Sequence, residues 1–339
     1  MKLRTFKEMK KEKKEKLITF LLFSFVIFLF FWNVNLFKRN GNILATENYQ
    51  KAEVASIKAD NYLLKELKEK REEKKIISNL KKVKLKARSA IAVYFSPDGE
   101  EKILLAKDQF SRLPIASLTK LMTSLVVFDL KSVYHPSKII KISKEAVDQD
   151  GDSKWGGLKI GEEMTVNALL HMALIESNND AAFALTEPLG EESFVDLMNL
   201  YAKKIGLKNT HFYNPNGLEP DDPQSPLINN STVIDLAEFA EYIFNNYPQI
   251  FDITRKQSYP VLRPNGEIHH FIPENTNKLL KEFSEVIIGG KTGWSPRANG
   301  CLLIVLKDKK RNGHFINVVL GSSDRFGDMR KIIKAEINN

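Results

Sequence analysis

Three short stretches of this 339-residue chain carry side chains suited to acyl transfer through a serine: Ser117-Leu118-Thr119-Lys120, Ser177-Asn178-Asn179 and Lys291-Thr292-Gly293. A serine hydroxyl is a poor nucleophile until a neighbouring base takes its proton. Residues three apart on a helix share a face, so Lys120 can approach the Ser117 hydroxyl. Lysine acts as that base only if its pKa falls well below about 10.4, through burial or a second cation nearby. Lys291 can be that cation if the fold brings it close. Ser177 offers a hydroxyl able to relay a proton to a leaving amine, and Asn179 can hold a peptide amide with both donor and acceptor. Lys291 and Thr292 can bind a substrate carboxylate, while Gly293 lets an extended substrate lie close to its strand.

Each stretch alone is weak. A second S-x-x-K, Ser78 to Lys81, sits in a highly charged segment and reads as chance. Taken together, the order of the three and the elements that carry them are informative. The first opens a helical pattern over 117–131, and the second follows a helical pattern over 164–186 near Glu176. The third ends a strand pattern over 285–293. Further helical patterns cover 191–205 and 231–246, with a helical tail at 324–336. Strand patterns cover 89–95, 102–105, 300–307 and 314–321, the first two joined by a Ser96-Pro97-Asp98-Gly99 turn. Strands at both ends of a domain with helices between them predict an α+β fold, one mixed sheet closed by its own termini.

Ahead of this body lie three segments of different character. Residues 1–16 are strongly basic, and residues 17–37 are apolar and uncharged. Twenty-one helical residues span about 32 Å, enough for a bilayer core. The basic flank predicts a cytoplasmic N-terminus and an extracytoplasmic body. No small-x-small cleavage site follows, so a retained transmembrane helix is expected rather than a signal peptide. Residues 38–86 form a Lys/Glu-rich segment, read as a solvated, partly helical stalk because Arg71 and Lys74 interrupt the stripe of Ile57, Leu64 and Leu67. The catalytic domain then runs over 87–339.

The net charge of +9 is concentrated at one end, since residues 1–40 hold ten Lys/Arg against three Glu. A nucleic-acid surface on the body is therefore not expected. The single cysteine, Cys301, lies in a buried-strand pattern and reads as a core residue. Of the six histidines only His269 and His270 are adjacent, and on a regular strand adjacent side chains point to opposite faces. With no zinc-like ligand spacing, neither metal nor cofactor is expected.

The motif order resembles that of penicillin-binding proteins and class A β-lactamases. Pro114 to Thr123 resembles the active-serine segment of low-molecular-weight D-alanyl-D-alanine carboxypeptidases. Ser177 to Ala182, Lys208 to Phe212, Asn214-Pro215-Asn216-Gly217-Leu218, Gly290 to Gly293 and Val318 to Gly321 extend the resemblance across about 90–335. It implies a β-lactamase/transpeptidase-like domain, an antiparallel sheet flanked by helices with a helical subdomain. It also implies an acyl-enzyme on Ser117 with Lys120 as base, and an oxyanion hole from the backbone N–H groups of Ser117 and Trp294. The substrate implied is a peptidoglycan stem peptide ending in D-Ala-D-Ala, with β-lactams as covalent inhibitors. Two departures stand out. The chain ends at Asn339, where the family pattern commonly continues into a C-terminal β-domain and membrane tail, and Trp294 stands where relatives often carry a polar residue. The nearest rival, a β-lactamase, needs a further carboxylate to hydrolyse the acyl-enzyme. Glu219-Pro220 offers one, but it follows the carboxypeptidase-like Asn214–Leu218 segment and reads as a loop glutamate. A D,D-endopeptidase would use the same machinery, whereas a non-catalytic wall-binding module would not retain every motif residue.

Overall fold

In the computed structural model, residues 21–30, 42–149 and 155–337 are described. Two compact units divide the chain, Met1–Lys70 and Arg71–Asn339.

In the first unit residues 21–30 are helical, and the long helix Asn42–Leu80 begins. Among the described residues no helix is long and apolar enough to cross a membrane. The segment 17–37 extends beyond the described residues at both ends, and the basic tail 1–16 lies wholly outside them. Where the sequence suggests a partly helical stalk, the helix Asn42–Leu80 is continuous. Ile57, Leu64 and Leu67 are exposed along it, and Glu66 pairs with Lys70 one turn later. Such a helix gains little from burial and depends on propensity and i,i+4 pairs.

The second unit takes in the last turns of that helix. Ile76 and Leu80 share a face at i,i+4 spacing, and both are buried against Met329, Ile332 and Ile333. The body therefore begins near residue 71, and residues 71–86 are not the end of a solvated stalk.

A five-stranded antiparallel sheet organises this unit, in the order β2-β1-β11-β10-β9. The strands are β1 (Ser89–Phe95), β2 (Glu101–Lys107), β9 (Ile287–Ser295), β10 (Asn299–Lys307) and β11 (His314–Ser322). The first strand pairs with the last, from Ser89 opposite Leu320 to Phe95 opposite His314, so the sheet is closed by its own termini as expected, but it is antiparallel throughout where the strand and helix order suggested a mixed one. Both faces are covered, which explains why β1, β10 and β11 read as continuous apolar runs. Ile91, Val93, Leu303, Val305, Ile316 and Val318 face a large core shared with the helices between β2 and β9. Ala90, Ala92, Leu302, Ile304, Phe315 and Val319 face a second core under the helix Arg325–Ile337.

The helical layer departs from expectation at one place. The predicted 164–186 helix is split into Val166–His171, a widened π turn Met172–Glu176, and Asn179–Ala184. Ser177 breaks it by adopting φ 66°, a left-handed conformation uncommon for serine. Asn178 then caps the new helix, its Oδ1 accepting from the Ala181 N–H at 2.7 Å. Two short pairs, β3 (Leu113–Pro114) with β6 (Asn230–Ser231) and β4 (Ile139–Lys141) with β5 (Glu163–Thr165), complete this layer. So do the helix Pro248–Thr254 and a hairpin of β7 (Tyr259–Leu262) and β8 (Ile268–Ile272).

Candidate active site

Ser117 sits in a single 3-10 turn, Ala116–Thr119, and Lys120 is the first residue of the helix Lys120–Asp129. The turn is strained, since Ala116 has φ 45°. It is braced by Gly217 (φ +85°), where a Cβ would stand 2.0 Å from the Ala116 carbonyl oxygen. Lys120 is fully buried, and its Nζ lies 2.9 Å from Ser117 Oγ, 2.6 Å from Asn179 Oδ1 and 2.8 Å from the Asn216 carbonyl. Three acceptors match the three protons of an ammonium. A neutral amine would keep donating to Asn179 and Asn216 and turn its lone pair to the Ser117 hydroxyl. Burial pushes the Lys120 amine well below its ordinary pKa, the charge of Lys291 lowers it further, and Asp180 opposes the shift. The shift raises the share of the neutral form, which is what a base needs.

A second lysine–serine couple faces the first. Lys291, buried on β9, donates from Nζ to Ser177 Oγ at 2.8 Å and to its neighbour's carbonyl, that of Thr292, at 3.1 Å. Burial, then the charge of Arg325, lowers Lys291 to about 7. The left-handed turn at Ser177 is what sets its hydroxyl on this amine. Thr292 Oγ1 is 2.8 Å from Thr276 Oγ1, and the Gly293 carbonyl accepts from Arg325 Nη1 at 2.9 Å. Because β9 is an edge strand, Thr292 to Trp294 are available for a further extended segment to pair with. Gly293 lies directly against the backbone of Ile115 to Ser117, and Trp294 is 62% exposed beside it.

Ser117, Lys120 and Asn179 thus form one hydrogen-bonded group, and Ser177, Lys291 and Thr292 a second, coupled to it through the charges of the two lysines. Sequence reasoning missed Arg325, the Thr276 hydroxyl and the Asn216 carbonyl. Asn216 and Gly217 stand in a segment already singled out, but a backbone carbonyl leaves no residue-type signal. Glu219 is engaged elsewhere, accepting from the Arg297 N–H at 2.9 Å and from the Ser295 hydroxyl. Cys301 is buried, and desolvation pushes its thiol up to about 12.

The histidine pair corrects an expectation. His269 and His270 do not point apart: their Nδ1 atoms are 2.6 Å from each other. The register shifts between Val261 (opposite His270) and Leu262 (opposite Ile268), which leaves His269 as an unpaired bulge residue. A bulge cancels the strict alternation of a strand, so neighbouring side chains can meet.

Residues 74–324 match the Peptidase S11 family, described as D-alanyl-D-alanine carboxypeptidase. The chain is 36% identical over 226 residues to the D-alanyl-D-alanine carboxypeptidase DacF of Bacillus subtilis, covering 66% of this chain and 54% of that protein. It is 31% identical over 207 residues to a D-alanyl-D-alanine endopeptidase of Pseudomonas aeruginosa, covering 60% of this chain and 62% of that protein. Among solved structures it resembles penicillin-binding protein D2 of Listeria monocytogenes in its cefotaxime-bound form, with a TM-score of 0.62 and 26% identity. That likeness covers 75% of this chain and 98% of the other. The chain spans little more than half the length of the first of these curated relatives.

Proposed function

The chain belongs to the D-alanyl-D-alanine carboxypeptidase family of serine peptidases, and we propose that it removes the terminal D-alanine from peptidoglycan stem peptides through an acyl-enzyme on Ser117. The observation that carries this reading is the buried Lys120 amine 2.9 Å from the Ser117 hydroxyl, its pKa held down by burial and by Lys291.

Ser117 Oγ attacks the carbonyl carbon of the penultimate D-alanine while Lys120 takes the hydroxyl proton. The charge developing on the carbonyl oxygen meets the backbone N–H groups of Ser117 and Trp294. Ser177, held by Lys291, relays the proton taken by Lys120 to the departing D-alanine nitrogen as the peptide bond breaks, which returns Lys120 to its neutral form. Water then attacks the ester with Lys120 again as base, releasing the shortened peptide and restoring Ser117. The substrate adds as an extended strand along the edge of β9, its carboxylate beside Thr292 and within the field of Lys291 and Arg325. β-Lactams, which present a strained amide and a carboxylate, acylate the same serine. The hydrogen bonds of Glu219 to Ser295 and Arg297 favour peptidase over β-lactamase activity, because that carboxylate is committed to the β9–β10 turn. The apolar stretch 17–37 after its basic flank is read as a membrane anchor, with the body extracytoplasmic.

One experiment addresses catalysis and location together. Fluorescent penicillin should label the full-length chain in the membrane pellet, and mass spectrometry should map the adduct to the peptide containing Ser117. Purified protein should release D-alanine from a pentapeptide, and Ser117→Ala should lose both activities. An adduct on another peptide, or D-alanine release by Ser117→Ala, overturns the mechanism. A labelled chain found only in the soluble fraction overturns the anchor alone.

A further inference from the structure

Behind Ser177 runs a chain of buried ionisable groups for which the mechanism above has no use. Glu176, the residue just before Ser177, has a side chain only 2% exposed, and neither carboxylate oxygen has a hydrogen-bond partner at normal distance. Among the described residues the group placed to pair with it is His270 Nε2, 3.4 Å away, itself buried and with no closer partner. His270 Nδ1 meets His269 Nδ1 at 2.6 Å, and His269 Nε2 lies 3.2 Å from Glu162, which Arg263 pairs from outside. A Cβ at Gly156 would stand 2.5 Å from the His270 ring, so the 155–157 backbone seals the pair from above. On the other side burial raises Asp180 to about 6, with Glu176 adding to the rise and the charge of Lys120 opposing it.

The two histidine rings link the two carboxylates in one line. Burial lowers His269 from its ordinary pKa, the charge of Glu162 opposes the shift, and its Nε2 sits beside the Glu162 carboxylate. The His270 ring bridges its two neighbours, with Nδ1 at His269 and Nε2 at the Glu176 carboxylate. A carboxylate buried this deeply needs a polar partner.

The backbone around Glu176 is held by the same segment. The Thr276 N–H donates to the Ile175 carbonyl at 3.1 Å, and Thr276 Oγ1 reaches Thr292. The stretch 270–276 therefore grips consecutive residues of the π turn, Ile175 through backbone and Glu176 through His270. The next residue is left-handed Ser177, whose hydroxyl rests on Lys291.

We propose that His270 is a positioning residue for the peptidase reaction, holding Glu176 and thereby fixing the left-handed turn that sets Ser177 Oγ on Lys291. The inference rests on the peptidase reading and adds to it a residue that touches neither substrate nor the reacting atoms.

The test compares His270→Gln, Glu176→Gln and the double variant by steady-state D-alanine release from a pentapeptide, with melting temperatures alongside. Removing His270 strands a buried carboxylate next to Ser177. His270→Gln should then lower kcat by on the order of 10²-fold, the scale of a 1 Å misplacement, with KM changed less than about threefold. The double variant, with two amides able to bond to each other, should recover most of that loss. A general packing defect would instead add in the double variant and spread over both constants. If His270→Gln does not fold, Glu176→Gln against the double variant decides: the pair acts as a unit only if adding His270→Gln costs no further kcat. Unchanged kcat in His270→Gln, or a double variant slower than both single ones, overturns the proposal. An unmodified chain releasing no D-alanine defeats the peptidase reading itself, which separates the two failures.

Discussion

The five-stranded sheet buries ionisable groups on both faces and puts them to opposite uses. On the helical face Lys120 and Lys291, 0% and 1% exposed, each hold a serine hydroxyl. On the other face Asp328 and Glu336, from the helix Arg325–Ile337, are just as deep. Asp328 accepts from the Lys86 and Ala87 N–H groups and from Ser322 Oγ, clamping the chain where it enters β1. Burial drives the Glu336 carboxyl well above its ordinary pKa, and it accepts from Asn317 Nδ2 at 2.8 Å. Burial shifts a pKa on either face. It yields a reactive group only where the neutralised side chain meets a hydroxyl beside an open strand edge; elsewhere it fastens backbone.

The largest effect that would break this contrast belongs to Lys120→Met. Loss of the base should cut penicillin acylation by at least about 10²–10⁴-fold. The melting temperature should hold or rise, because a buried amine no longer has to be kept neutral. Stopped-flow acylation with calorimetry checks both, and a variant that acylates normally would remove Lys120 from the chemistry. Leu80→Ala probes the other face. A fully buried leucine truncated in a core costs about 2–5 kcal/mol, so denaturant midpoints should fall while acylation per folded molecule stays unchanged. If deleting residues 46–80 proves as harmless as deleting 46–70, the body does not begin where Ile76 and Leu80 place it.

Glu336→Gln should have the smallest effect. With its pKa raised in the folded state, the native protein binds a proton that the unfolded chain releases above about pH 4.3. Stability from this group is complete at low pH and declines as pH rises towards the folded value. The amide has no such decline. The variant should lie within about 1 kcal/mol of the parent at pH 5 and gain on it towards pH 8. Urea unfolding at the two pH values measures this, and a constant difference would mean that Glu336 is ionised in the folded protein.

These faces were unequally legible in the sequence. The Ser117–Lys120 couple can be read from i,i+3 spacing once the two later motifs single it out from Ser78–Lys81, and the strands from apolar runs bounded by turns. The break at Ser177 was not, because apolar periodicity continues on both sides of one left-handed residue. Nor were Arg325, the Asn216 carbonyl or the Glu176–His270 contact, which exist only once distant segments meet. Ile76 and Leu80 differ in no local respect from Ile57 and Leu64; only the helix Arg325–Ile337 makes them core. The bulge at His269 shows the limit of a period-2 argument, since one inserted residue reverses its conclusion.

The pairing of β1 with β11 also has a kinetic side. Ser89 must wait for Leu320, roughly 230 residues later in the chain, before the sheet gains its central pair. At 5–20 residues per second that is about 10–50 s of synthesis during which β1 has only β2 beside it. Contacts this distant in sequence slow the search for the native state. Until β11 arrives, the nascent chain offers an apolar strand with a free edge, the kind of template on which chains aggregate. Holding that edge apart until the last strand emerges is a task for whatever accompanies the chain during its synthesis.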